Sequence, residues 1–175
     1  TVDFQKEFFD GDSTVKDGSD YEIYVLDEYY NYTISARVEG ETEDRDIIDN
    51  DDGTYTVKNV TGNLTIRLLS REGKRFHVTT AGDAADKVSC DSEAQHGSDY
   101  RFRVANEDGY VHHVSAKCGG YNTLAVTMGQ DGYYTINGAD ITGDIAITAE
   151  KEAIGESGYI VSAEGGSTGI LVGDD

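Results

Sequence analysis

The 175-residue chain has no proline and no tryptophan, only two cysteines and one methionine, and just 14 Lys and Arg against 34 Asp and Glu. At the usual frequency of about 5% a chain this long carries roughly nine prolines, so their absence excludes a Pro-rich linker. The scarcity of cations leaves a net charge of −20. No face can gather enough Lys and Arg to displace counterions from phosphates, which argues against nucleic acid and anionic membrane surfaces as partners. Apolar runs stop after a few residues, as in Tyr24-Val25-Leu26 and Gly169-Ile170-Leu171-Val172. Nothing approaches the roughly 20 residues of a membrane-spanning helix, so no membrane insertion is expected.

What is present is 12 Tyr and 5 Phe spread along the chain. Disordered acidic chains lack such aromatics, so the chain reads as folded, with length enough for one ordinary domain or two small ones. Cys90 and Cys118 stand 28 residues apart without a CxxC or Cys/His metal spacing. Their even count predicts a disulfide rather than a metal site. A loop of that length gives roughly 3 to 4 kcal/mol in the chain-entropy model and implies an oxidising, extracytoplasmic setting.

An internal repeat organises the chain. Gly18-Ser19-Asp20-Tyr21-Glu22-Ile23-Tyr24-Val25 returns as Gly97-Ser98-Asp99-Tyr100-Arg101-Phe102-Arg103-Val104, an offset of 79 residues. In the same order, Ser35–Gly40 matches Ser115–Gly120, Asp52–Val57 matches Asp131–Ile136, and Val60–Ile66 matches Ile141–Ile147. Tyr159–Gly165 resembles Phe76–Gly82, which opens the second repeat. The expected division is therefore residues 1–72 for repeat 1, 75–152 for repeat 2, and 153–175 for the start of a third repeat or a strand pair packing on a neighbouring module. Residues 1–74 carry 18 acidic and 8 basic side chains and residues 75–175 carry 16 and 6, so each part contributes −10.

Within each repeat the hydrophobic period is 2. Tyr100, Phe102 and Val104 alternate with Arg101 and Arg103, and turn pairs such as Asp52-Gly53 and Asp131-Gly132 punctuate the strands. Strands are predicted at 75–80, 86–90, 99–105, 110–118, 122–128, 132–136 and 144–150. About seven short strands and no convincing helix favour an all-β chain of two tandem immunoglobulin-like β-sandwich modules plus the first strands of a third. The rival is a compact β-grasp or barrel-like module. That would need a real helix, and only Asp83 to Lys87 is faintly helical.

The closing motif Asp-Gly-x-Tyr-Thr-Ile…Ile-Thr-Gly-Asp-Ile-x-Ile, spanning Asp131 to Ile147, resembles tandem β-sandwich repeat modules of Gram-positive bacterial cell-surface proteins. The resemblance implies an extracellular, surface-anchored array in a stalk, adhesin or carbohydrate-active protein, and carries over no catalytic residue.

Candidate sites follow from residue chemistry. Tyr29, Tyr30 and Tyr32 fall at a predicted turn whose counterpart holds Tyr110. Rigid rings with a polar tip suit protein recognition, or stacking on a sugar. The competing reading is that some of these rings fill the core. The run Asp44, Asp46, Asp49, Asn50, Asp51, Asp52, Gly53 offers oxygen ligands to a hard cation, so Ca2+ at Asp46, Asp49, Asp51 and Asp52 is the one metal expectation, although the EF-hand register fails. His112 and His113 are adjacent, and on a strand they point to opposite faces. No activated nucleophile or acid–base pair stands out, so no enzyme activity and no organic cofactor is expected. The functional expectation is a non-catalytic extracellular repeat region that binds a host or partner protein in adhesion. The alternatives are a structural spacer and a carbohydrate-binding module, and the adjacent modules of the same longer chain are further partners.

Overall fold

The computed structural model describes residues 1–155 in full and the strand backbone of residues 158–162 and 169–173. It is all-β and separates into two compact units, Thr1–Lys74 and Arg75–Asp175.

In unit 1 the strands are β1 (Val2–Asp3), β2 (Phe9–Asp10), β3 (Ser19–Val25), β4 (Tyr30–Val38), β5 (Ile47–Asp49), β6 (Thr54–Val60) and β7 (Leu64–Gly73). One sheet has the order β1-β7-β4 and the other β2-β3-β6-β5. Period-2 alternation turns Tyr21 and Ile23 of β3 inward and Glu22 and Tyr24 outward. The inward residues of both sheets, among them Phe9, Ile23, Val57, Val38, Leu64 and Ile66, form one buried core.

In unit 2 the strands are β8 (Arg75–Ala81), β9 (Val88–Ser89), β10 (Glu93–Gln95), β11 (Tyr100–Val104), β12 (Tyr110–Cys118), β13 (Asn122–Leu124), β14 (Val126–Met128), β15 (Tyr134–Ile136) and β16 (Ile145–Ala153). The sheets run β10-β8-β16-β12-β13 and β14-β15-β11-β9 around a core that includes Phe102, Ile136, Ile141, Ile145 and Ile147. Two further strands, β17 (Gly158–Ser162) and β18 (Gly169–Gly173), pair with each other antiparallel. The rest of the expectation for residues 153–175 lies outside the described residues.

The immunoglobulin-like connectivity expected from the strand count is not confirmed. Here the first strand of each unit lies beside the last and parallel to it: Val2 opposite Leu64, and Val78 opposite Ile145. In the five-stranded sheet the strand order is second-first-last-third-fourth. Among the described residues of unit 2 the only helical pieces are two 3-10 turns, Ala85–Lys87 and Gly138–Asp140. The segment predicted as one strand over 122–128 breaks at Ala125: β13 pairs with β12 in one sheet and β14 with β15 in the other.

The repeat holds at the level of single bonds. Tyr21 Oη donates to Asp12 O (2.8 Å), and Tyr100 Oη donates to Asp91 O. Asp20 and Asp99 each accept a backbone N–H at 3.0 Å, from Asn59 and Gly138. Lys74 N reaches Tyr29 O and Ile154 N reaches Gly109 O, both at 2.8 Å. One difference is a β-bulge in β7, where Thr33 faces Ser70 but Ile34 faces Leu68, leaving Leu69 as the extra residue. The equivalent β12–β16 ladder is unbroken from Tyr110↔Ala153 to Cys118↔Ile145.

Candidate functional site

The tyrosines expected at a loop tip are built into the framework. Tyr29 lies in the turn before β4, its N–H donating to Asp27 Oδ1 at 3.0 Å. Tyr30 and Tyr32 are on β4 itself, and all three rings are half-buried. Tyr32 Oη donates to Asp27 O at 3.0 Å, and its ring lies 5.9 Å from that of Phe9. Burial, and secondarily the Asp27 charge, raise the Tyr32 phenol above its ordinary range. The Arg71 guanidinium covers Tyr30 at 4.5 Å and Phe8 at 4.9 Å. Tyr110 opens β12 and is 37% exposed. Lys151 Nζ sits 4.6 Å from its ring centroid and 3.0 Å from Glu107 Oε1. Glu107 also pairs with Lys87 Nζ at 3.9 Å. The hydrogen bond to Glu107 is the main reason the Lys151 ammonium holds its proton above the usual lysine range.

The acidic run spends its carboxylates on turn geometry. Asp49 Oδ1 accepts Asp51 N at 2.9 Å, and Asp52 Oδ1 accepts Thr54 N (3.0 Å) and Thr54 Oγ1 (2.6 Å). These bonds, that to the Thr54 hydroxyl first, hold Asp52 below the usual carboxylate range. Asp51 adopts φ 61° and Gly53 φ 85°, as a tight hairpin between β5 and β6 requires. Asp44 accepts Arg37 Nε at 2.7 Å, and Asp46 points to solvent as an exposed side chain. Among the described residues no group of three or more His, Cys, Asp or Glu side chains converges as a metal site would.

The disulfide expectation is corrected: Cys90 and Cys118 are both free thiols. Cys118 is buried on β12 opposite Ile145, and its Sγ donates to Gly143 O at 3.4 Å. Cys90 packs at the core margin beside Tyr100. An even cysteine count and a 28-residue spacing carry no geometry. Burial, followed by the neighbouring Cys90, raises the Tyr100 phenol. The two histidines do diverge: His113 faces solvent with Nε2 2.9 Å from Glu152 Oε2, while His112 turns inward. His112 Nε2 is buried with no hydrogen-bond partner among the described residues.

Sequence reasoning missed the outer face of the four-stranded sheet in each unit. In unit 2 the guanidinium groups of Arg101 and Arg103 flank one ring, Tyr133, at 4.6 and 5.3 Å, with Arg101 ion-paired to Asp131. At the equivalent positions in unit 1 stand Glu22, Tyr24 and Thr54. A hollow of about 570 Å³ opens there, lined by Asp10, Asp12, Asp20, Glu22 and Tyr24 together with Lys16. Tyr24 is 48% exposed, and its phenol is raised above its usual range first by a hydrogen bond with Glu22, with the Asp12 and Asp52 charges adding to it. The signal was in the repeat alignment, where Tyr21, Ile23 and Val25 keep their apolar character as Tyr100, Phe102 and Val104 while Glu22 and Tyr24 become arginines. No protein-family model matches the chain, and no curated protein matches it in sequence.

Proposed function

We propose that this chain is a non-catalytic pair of β modules from the extracellular part of a bacterial surface protein, and that the modules act as a spacer that resists tension along the chain. The observation that carries this reading is the parallel pairing of first and last strand in each unit. In unit 2 four consecutive pairs, Val78↔Ile145 to Ala81↔Thr148, join β8 to β16. A pull that enters at the start of β8 and leaves at the end of β16 drives these strands past each other, so their hydrogen bonds must fail together in shear. In unit 1 the same arrangement is shorter, with Val2↔Leu64 and Asp3↔Thr65 plus a bond from Leu64 N to Thr1 O at 2.9 Å.

The resemblance of the Asp131–Ile147 motif to surface-protein repeats supports the extracellular setting. Tyr30, Tyr32 and Tyr110 weigh against adhesion through an exposed loop, because their rings pack against the core or under Arg71 and Lys151. Single-molecule pulling of the chain tests the reading, since forced unfolding is governed by the unfolding barrier. Two unfolding events are expected, with unit 2 yielding at the higher force. A featureless, low-force extension overturns the proposal.

A further inference from the structure

The two units present opposite charge on equivalent outer sheet faces. On unit 2, Arg101 and Arg103 are held against Tyr133, which is itself 36% exposed. On unit 1, Asp10, Asp12 and Glu22 surround the exposed Tyr24 at the rim of the hollow, with Lys58 Nζ tied to Asp20 Oδ2 at 2.7 Å on one side. β3, which carries Glu22 and Tyr24, and β11, which carries Arg101 and Arg103, hold matching registers against β6 and β15, so these positions correspond between the two faces.

We propose that the Arg101–Tyr133–Arg103 stack of one copy seats on the acidic hollow around Tyr24 of a second copy, so that the chain associates with itself head to tail. Guanidinium groups are suited to this because their planar fork bonds a carboxylate at two points and stacks on an aromatic ring at once. The contact joins two different surfaces. A single contact therefore leaves one of each surface free to bind further copies.

The net charge sets a condition on this contact. Two chains of −20 repel, and at about 10 mM salt the screening length of roughly 30 Å lets that repulsion dominate. Near 0.15 M the length falls to about 8 Å, which screens the distant charges but not groups in contact. At about 1 M it is near 3 Å, and the contact pairs are weakened too. Association is thus strongest at intermediate salt.

The test is sedimentation velocity over a wide range of concentration and salt, on the wild type and two charge reversals, Arg101→Glu/Arg103→Glu and Asp12→Arg/Glu22→Arg. The wild type is expected to exceed its monomer mass of 19.0 kDa with rising concentration near 0.15 M salt, and to return toward it at both salt extremes. Each reversed protein alone is expected to stay monomeric, and an equimolar mixture of the two to associate again, because the reversed faces complement each other. Circular dichroism checks the fold of each variant, and Arg101→Gln/Arg103→Gln serves if the reversal unfolds the unit. A wild type that is monomeric under all conditions overturns the proposal. So does association that survives both reversals, or a mixture of folded variants that fails to associate.

Discussion

Lys151 Nζ stands 4.6 Å above the ring of Tyr110, and Arg71 Cζ stands 4.5 Å above that of Tyr30 at the equivalent place in unit 1. In each unit the ring opens the long strand paired with the last strand of the ladder, β4 with β7 and β12 with β16, and the cation lies near the end of that last strand, so the pair closes one end of the ladder. A cation over an aromatic face is attracted by the ring quadrupole, and the contact also shields the last hydrogen bonds from water. Lys151→Ala and Tyr110→Ala are each expected to lower the melting temperature of unit 2. The double variant should lose less than the sum, as read in a double-mutant cycle. Strict additivity would mean that the two side chains act independently.

The Tyr21 hydroxyl reaches Asp12 O at 2.8 Å across a gap that exists because residue 11 is glycine. A Cβ there would stand 2.5 Å from Tyr21 Oη. Tyr21→Phe removes the hydrogen bond and leaves a carbonyl short of a partner, at a cost of about 1 kcal/mol in chemical unfolding. Gly11→Ala should destabilise the wild type and do little in the Tyr21→Phe background. Equal costs in both backgrounds would show that the clash with the hydroxyl is not what glycine avoids.

Alkaline pH should weaken unit 1. Burial first, with Asp12 and Asp10 adding to it, pushes Tyr21 up to about 12, and burial with Asp49 does the same for Tyr55. An unfolded tyrosine ionises near 10, so above that pH the unfolded chain holds fewer protons than the folded one. Stability contributed by these groups is fully present below about pH 10 and declines toward pH 12. Melting temperatures measured from pH 8 to 12, together with a phenolate absorbance titration showing late-ionising tyrosines, check this. Stability that stays level through pH 12 would contradict it.

His112 occupies the place that Tyr32 holds in unit 1, but where Tyr32 Oη donates to Asp27 O the His112 Nε2 is buried without a partner among the described residues. Replacing it by an apolar ring removes that unpaired polar atom, so His112→Phe is expected to stabilise unit 2 by about 1 kcal/mol. Tyr32→His should destabilise unit 1. A loss of stability in His112→Phe would mean that the imidazole has a partner in solution.

Free thiols make a simple chemical forecast. Both cysteines should be alkylated in the denatured chain without prior reduction, and reductant should leave the melting of unit 2 unchanged. Val38 fills the position in unit 1 that Cys118 fills in unit 2, so Cys118→Val should be nearly neutral. A melting temperature that falls on adding reductant would show a bridge after all.

The strands were legible wherever one face of the sheet is buried and the other is wet, because that condition writes period 2 into the residues: β3, β11 and β12 follow it closely. Pairing was not legible. Whether β16 lies beside β12 or beside β15 depends on which edges meet in space, and Ile145 and Ile147 are buried in either case. β10 was missed because Glu93-Ala94-Gln95 buries only Ala94 and so lacks a hydrophobic stripe. At the candidate site, Tyr29 to Tyr32 looked like a tip because turn residues precede them, yet the ladder of β4 with β7 starts at Tyr30. The Arg101–Tyr133–Arg103 stack joins residues 30 or more apart, and only the register of β11 with β15 brings them together.

The shear geometry of the first and last strands is open to one direct comparison of pulling directions in unit 2. Handles at Arg75 and Ala153 load β8 and β16 along their length in opposite senses, whereas handles at Arg75 and Asp144 sit at the same end of the pair and peel it open one hydrogen bond at a time. The expected result is a clearly higher unfolding force for the first pair of handles than for the second at the same loading rate. Equal forces, or a higher force for Arg75 with Asp144, would contradict the claim that parallel first and last strands give these modules their resistance to tension.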